Sequence, residues 1–114
     1  MGKLTTHVLD TAAGRPAADL SVRLYRKGED RAIVETRTNR DGRCDAPLLE
    51  GEAFALGAYR LEFACGSYFD AQGRDLPDPK FLDDVVIDFG IAEDGHYHVP
   101  LLVSPFGYST YRGS

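Results

Sequence analysis

An all-β chain, folded as an antiparallel two-sheet β-sandwich with one short helix, is the fold class that this sequence predicts. Short stretches with strict alternation of apolar and polar side chains recur along its length. Turn-rich runs of Gly, Pro, Asn and Asp separate them. A brief segment bounded by glycines, residues 66–73, can hold the helix, of about two turns at most. Seven or eight short strands of this kind bury their apolar faces by packing sheet on sheet.

Residues 4–10 give the first strand, with Leu4, Thr6 and Val8 on one face and Thr5, His7 and Leu9 on the other. Residues 11–16 turn the chain. Residues 20–26 form a second strand, with Val22 and Leu24 inward and Arg23 outward. Lys27-Gly28-Glu29-Asp30 makes a hairpin loop, and residues 32–38 return as a third strand. Asn39-Arg40-Asp41-Gly42 is a turn signal, because Asp-Gly readily supplies positive φ. Phe54 marks a short strand, followed by residues 58–64, where Tyr59, Leu61 and Phe63 alternate with Arg60 and Glu62. Leu76-Pro77-Asp78-Pro79 is excluded from a central strand, since two prolines remove ladder donors. Residues 84–89 put Val85, Ile87 and Phe89 on one face. Two final strands are joined by Ser104-Pro105-Phe106-Gly107, the second running to the chain end. In the first of them Val99, Leu101 and Val103 form the core face, and His98, Pro100 and Leu102 the other.

A chain of 114 residues is read as a single domain, 1–114. Its 43% hydrophobic and 27% charged content is that of a globular protein. A net charge of −5 without a basic run excludes a nucleic-acid surface, so any anion site must come from a local cluster of Arg. No apolar run approaches the ~18–20 residues of a membrane span. Cys44 and Cys65 are read as free thiols, which with no signal-peptide pattern gives a cytoplasmic expectation.

His7, Arg43 and the final hairpin hold the candidate chemistry. Both His7 and His98 sit off the apolar stripe of their strands, as titratable groups kept out of the core. His96 and His98 lie two apart on one face, a spacing that also occurs in zinc sites, but no Asp, Glu or Cys stands beside them at ligand spacing. Metal is therefore not expected. No Gly-x-Ser-x-Gly elbow is present for a Ser109 or Ser114 nucleophile. Cys44, alternating from Arg43, is read as pointing into the core. Two imidazoles with two arginines suit general acid–base hydrolysis of an anionic substrate.

The runs Leu4-Thr5-Thr6-His7-Val8-Leu9-Asp10-Thr11 and Thr38-Asn39-Arg40-Asp41-Gly42-Arg43, and the ending from His96 through Tyr111-Arg112-Gly113-Ser114, resemble the 5-hydroxyisourate hydrolase family. These are transthyretin-related enzymes of urate breakdown. The resemblance runs the length of the chain, with the terminal Tyr-Arg-Gly-Ser as its most specific motif. It implies a transthyretin-like sandwich whose homotetramer encloses a channel at the dimer–dimer contact, with the sites there. It further implies a site built from His7, Arg43, His98, Tyr111, Arg112, Gly113 and Ser114. His7, His98 and Arg43 would be catalytic, and the tail residues would bind substrate. The implied reaction opens the six-membered ring of 5-hydroxyisourate by water attack on an amide-type carbonyl. It yields 2-oxo-4-hydroxy-4-carboxy-5-ureidoimidazoline and needs no cofactor. Which histidine is the base stays open. Two other readings also stay open: a transthyretin-type carrier of a hydrophobic ligand, and a zinc-dependent amidohydrolase.

Overall fold

A computed structural model describes residues 2–113. In chain order the elements are β1 (Lys3–Asp10), β2 (Arg15–Pro16), β3 (Ser21–Arg26), β4 (Val34–Arg37) and β5 (Leu49–Glu50). They continue through a 3₁₀ turn (Gly51–Ala53), β6 (Gly57–Phe63), α1 (Cys65–Ala71), β7 (Val85–Ile91), β8 (His96–Ser104) and β9 (Gly107–Thr110). One sheet has the order β2-β1-β8-β9, with β5 also on β1; the other has the order β4-β3-β6-β7. Leu4, Val8, Leu101 and Val103 of the first sheet meet Val22, Leu24, Leu61 and Phe63 of the second in a fully buried core. Those are the alternating apolar rows of the sequence, so burial of one face fixes the register of each strand.

The structure differs from the sequence expectation in four places. β1 and β8 run parallel, with Thr5 opposite His98, His7 opposite Pro100 and Leu9 opposite Leu102. Alternation specifies which face a residue takes and is blind to strand direction. Phe54 is not in a strand: the pairing falls earlier, at Leu49–Glu50, and Phe54 follows the 3₁₀ turn and packs against Tyr97. Pro100, on the outward row of β8, is buried all the same, and the Thr110 hydroxyl donates to its carbonyl at 2.8 Å. Finally, β9 stops at Thr110, so the tail that follows leaves the strand.

Two features carry over to the site. Strands β1, β8 and β9 lie side by side, with Leu9, Leu102 and Ser109 in one cross-strand row. Both cysteines are free. Among the described residues, no helix is long and apolar enough to cross a membrane.

Candidate active site

The outer edge of β1 is covered in three pieces. β5 pairs with its first residues and β2 with its last, Leu9 and Asp10. The loop at 39–43 closes the interval between them: the Val8 N–H donates to the Gly42 carbonyl at 2.8 Å, and His7 and Arg43 form an isolated antiparallel bridge. Gly42 sits at φ 76°, and a Cβ there would collide with the Val8 carbonyl and press on the His7 ring. Only glycine accepts both constraints. Asn39 shapes the rest of the turn. Its side-chain oxygen accepts from the N–H groups of Asp41 (2.9 Å) and Arg43 (3.2 Å), while its own N–H donates to the Arg43 carbonyl at 2.7 Å. The sequence thus delivers a guanidinium-bearing residue to the flank of the first-strand histidine.

His7 Nε2 lies 2.8 Å from the Asp41 carbonyl oxygen. A carbonyl only accepts, so the ring proton is on Nε2 and Nδ1 remains available. His98 is half-buried on the neighbouring strand, and its Nδ1 lies 2.8 Å from the Thr5 hydroxyl. The same hydroxyl is 2.9 Å from His96 Nε2. Burial pushes the His98 pKa below its ordinary 6.5, and the Arg43 charge, then His7 and His96, act in the same direction. His98 is accordingly a neutral imidazole at neutral pH. Beside these groups lies a cleft of about 430 Å³, lined by Lys3, Thr5, Arg43, Cys44, His96 and His98 among others. Cys44 is half-buried: it packs against the core, as alternation from Arg43 expects, and also contributes to the cleft wall. Burial, followed by the Asp45 charge, raises the Cys44 thiol pKa, which leaves it a poor nucleophile. Among the described residues, no three His, Cys, Asp or Glu side chains group to hold a metal ion.

The tail returns to the site through its backbone. The Gly113 N–H donates to the His98 carbonyl at 2.7 Å. A Cβ on Gly113 would fall 2.7 Å from His98 Cδ2, so the glycine lets the tail lie against the imidazole. Arg112 is elsewhere: its guanidinium carbon stands 4.0 Å from the centroid of the Tyr97 ring, a cation–π contact on the core-facing row of β8. Tyr111 and Arg112 line a second cavity of about 230 Å³ with Ile87, Phe89 and Val99. The structure therefore sets Arg43 and His98 in the cleft wall, with His7 bridged to Arg43 and Gly113 to His98, and puts Tyr111 and Arg112 at the second cavity. Ser114 lies outside the described residues. Sequence reasoning passed over Thr5 and Asn39. Thr5 shares the outward face of β1 with His7, and Asn39 opens an Asx-type turn ahead of Arg43, so each carried a signal.

Comparison with known proteins supplies the lineage. Residues 4–113 match the model of the HIUase/Transthyretin family. The chain is 61% identical over 117 residues to a 5-hydroxyisourate hydrolase of Ralstonia nicotianae, covering 100% of both chains. It is 63% identical over 115 residues to one of Mesorhizobium japonicum, covering 99% of this chain and 93% of that one. The solved 5-hydroxyisourate hydrolase of Klebsiella pneumoniae superposes with a TM-score of 0.84 at 38% identity, covering 100% of each chain. The chain belongs to the HIUase/Transthyretin family.

Proposed function

We propose that this protein hydrolyses 5-hydroxyisourate to 2-oxo-4-hydroxy-4-carboxy-5-ureidoimidazoline, as the names of its relatives suggest, with His98 as the general base. The assignment of the base is carried by half-buried His98 and Arg43 lining one polar cleft, where burial and then the Arg43 charge favour the neutral imidazole. In this reading a water in the cleft gives a proton to His98 Nε2 as its oxygen bonds to the ring carbonyl carbon. Arg43 stabilises the charge that grows on the carbonyl oxygen. The tetrahedral intermediate then collapses with cleavage of the C–N bond. His98 returns the proton to the departing nitrogen, leaving a carboxyl group and a free N–H. His7 holds the loop of Arg43 through its Nε2–H and keeps Nδ1 for a substrate N–H. Residues 1–114 act as one catalytic domain, without a cofactor, in the cytoplasm.

Tyr111, Arg112, Gly113 and Ser114 are the substrate-binding tail in this reading. The Gly113–His98 bridge supports that role, because it brings the tail beside the imidazole. Arg112 must leave the Tyr97 ring to touch a bound molecule. We further propose a homotetramer with its sites at a dimer–dimer channel. Strands β7 and β9 are terminal strands of the two sheets and border one cavity, and Val86, Tyr108, Phe106 and Tyr111 are exposed on or next to them. The polar lining of the cleft supports hydrolysis over carriage of a hydrophobic ligand. The test is to generate 5-hydroxyisourate from urate in situ and follow its ultraviolet decay with chelator-treated protein. The reading expects acceleration over the spontaneous rate; an unchanged rate from the assembled protein overturns it.

A further inference from the structure

The Thr5 hydroxyl occupies a position for which the reaction alone gives no reason. It stands within hydrogen-bond distance of two imidazoles at once, His98 Nδ1 at 2.8 Å and His96 Nε2 at 2.9 Å, with the two rings 6.3 Å apart. The parallel register of β1 and β8 creates this bridge, because it sets Thr5 opposite His98 and Lys3 opposite His96 on the outward face. A hydroxyl carries one proton and can donate to only one of the two nitrogens; the other nitrogen must donate to it. The tautomers of His96 and His98 are therefore coupled through a single oxygen.

We infer that Thr5 is a positioning residue for His98, and that Thr5 and His96 together hold the His98 proton on Nδ1. The chain of donors runs from His98 Nδ1–H to Thr5 Oγ1, and from the Thr5 O–H to His96 Nε2. His98 Nε2 is then unprotonated, and is the ring nitrogen left for a bound molecule. The opposite direction would place the His98 proton on Nε2 and remove the lone pair that a base requires. His96, exposed at the rim, is the far end of the relay. The charged and titratable groups around this relay are Lys3 and His7 on β1, Glu50 opposite Lys3 on β5, and Arg43, Cys44 and Asp45 on the loop. Burial first, then Arg43 and His7, disfavours a further proton on the His98 ring.

The inference rests on the proposed role of His98, yet its first test uses no substrate. Nitrogen-15 spectra of the full-length protein with labelled histidine, at neutral pH, should give His98 a protonated Nδ1 and a bare Nε2. In Thr5→Val, which keeps the shape and removes the hydroxyl, the two tautomers should mix. A wild-type His98 protonated on Nε2, or a tautomer unchanged in Thr5→Val, overturns the relay. Neither result bears on whether the protein hydrolyses 5-hydroxyisourate, which the ultraviolet assay decides separately; a proton on Nε2 would, however, also remove His98 as the base. In turnover assays Thr5→Val should lose about 10- to 100-fold in kcat with KM little changed, the order found when the hydrogen-bond partner behind a metal-bound histidine is removed. Thr5→Ser should recover most of that loss. Equal losses in Thr5→Val and Thr5→Ser would mean packing rather than the hydroxyl, and would also overturn the inference.

Discussion

The outward faces of the two sheets are both rich in charge, and they are charged in different ways. On the β3-β6-β7 face, cations meet carboxylates: Arg60 binds Asp88 through two nitrogens at 2.8 and 3.2 Å, and Arg23 reaches Glu62 at 3.1 Å and Asp84 at 3.3 Å. On the β1-β8 face, Arg43 stands near His98 and His7, and among the described residues it makes no ion pair. A face of matched pairs is a solvated surface whose charges satisfy one another. A face whose imidazoles and guanidinium make no ion pair among the described residues leaves donors and lone pairs for something else. That contrast separates the site from the rest of the surface more sharply than charge density does.

Substitution breaks the contrast most directly. His98→Ala should cost about 10²–10⁴ in kcat/KM, the range for a lost general base, while circular dichroism and thermal unfolding stay near wild type. Arg60→Ala, on the opposite face, should leave turnover unchanged. Equal effects on activity would erase the distinction. Gly42→Ala probes how the loop delivers Arg43. Its φ of 76° and the collision with the Val8 carbonyl should cost about 1–3 kcal/mol in a denaturant titration and lower kcat with it. An alanine as stable as glycine would mean that the loop is not held against β1.

Much of this contrast was legible in the sequence. Alternation placed Val22, Leu24, Tyr59, Leu61 and Phe63 inward, and it put Thr5 and His7 outward with His98. The Asn-Arg-Asp-Gly turn announced a tight loop ahead of Arg43. What escaped has physical causes. Strand direction is absent from a period of two, so the Thr5–His98 adjacency that depends on the parallel pairing could not be read. Parity fails where the backbone leaves the strand, which is why Tyr111 and Arg112 lie at the second cavity, beside the core-facing row of β8. Two-residue strands such as β2 and β5 are too short to carry a pattern.

A smaller effect concerns pH and stability. The folded state holds His98 below its ordinary 6.5, so as pH falls the unfolded chain takes up that proton first. Its contribution to stability is whole above the ordinary value and declines as pH drops through 6.5 toward the lowered one. Unfolding midpoints should fall slightly over that interval in wild type and less in His98→Gln. Identical slopes in the two proteins would mean that His98 is not perturbed.

The most direct measurement is the pH dependence of kcat/KM for 5-hydroxyisourate, taken on wild type and Arg43→Gln. The acid limb should lie below 6.5 in wild type, because burial and the neighbouring cation keep His98 neutral. In Arg43→Gln it should move upward as that cation is removed, along with a fall in rate. An acid limb at or above 6.5 in wild type, or one that Arg43→Gln leaves in place, would contradict a neutral His98 base set up by Arg43.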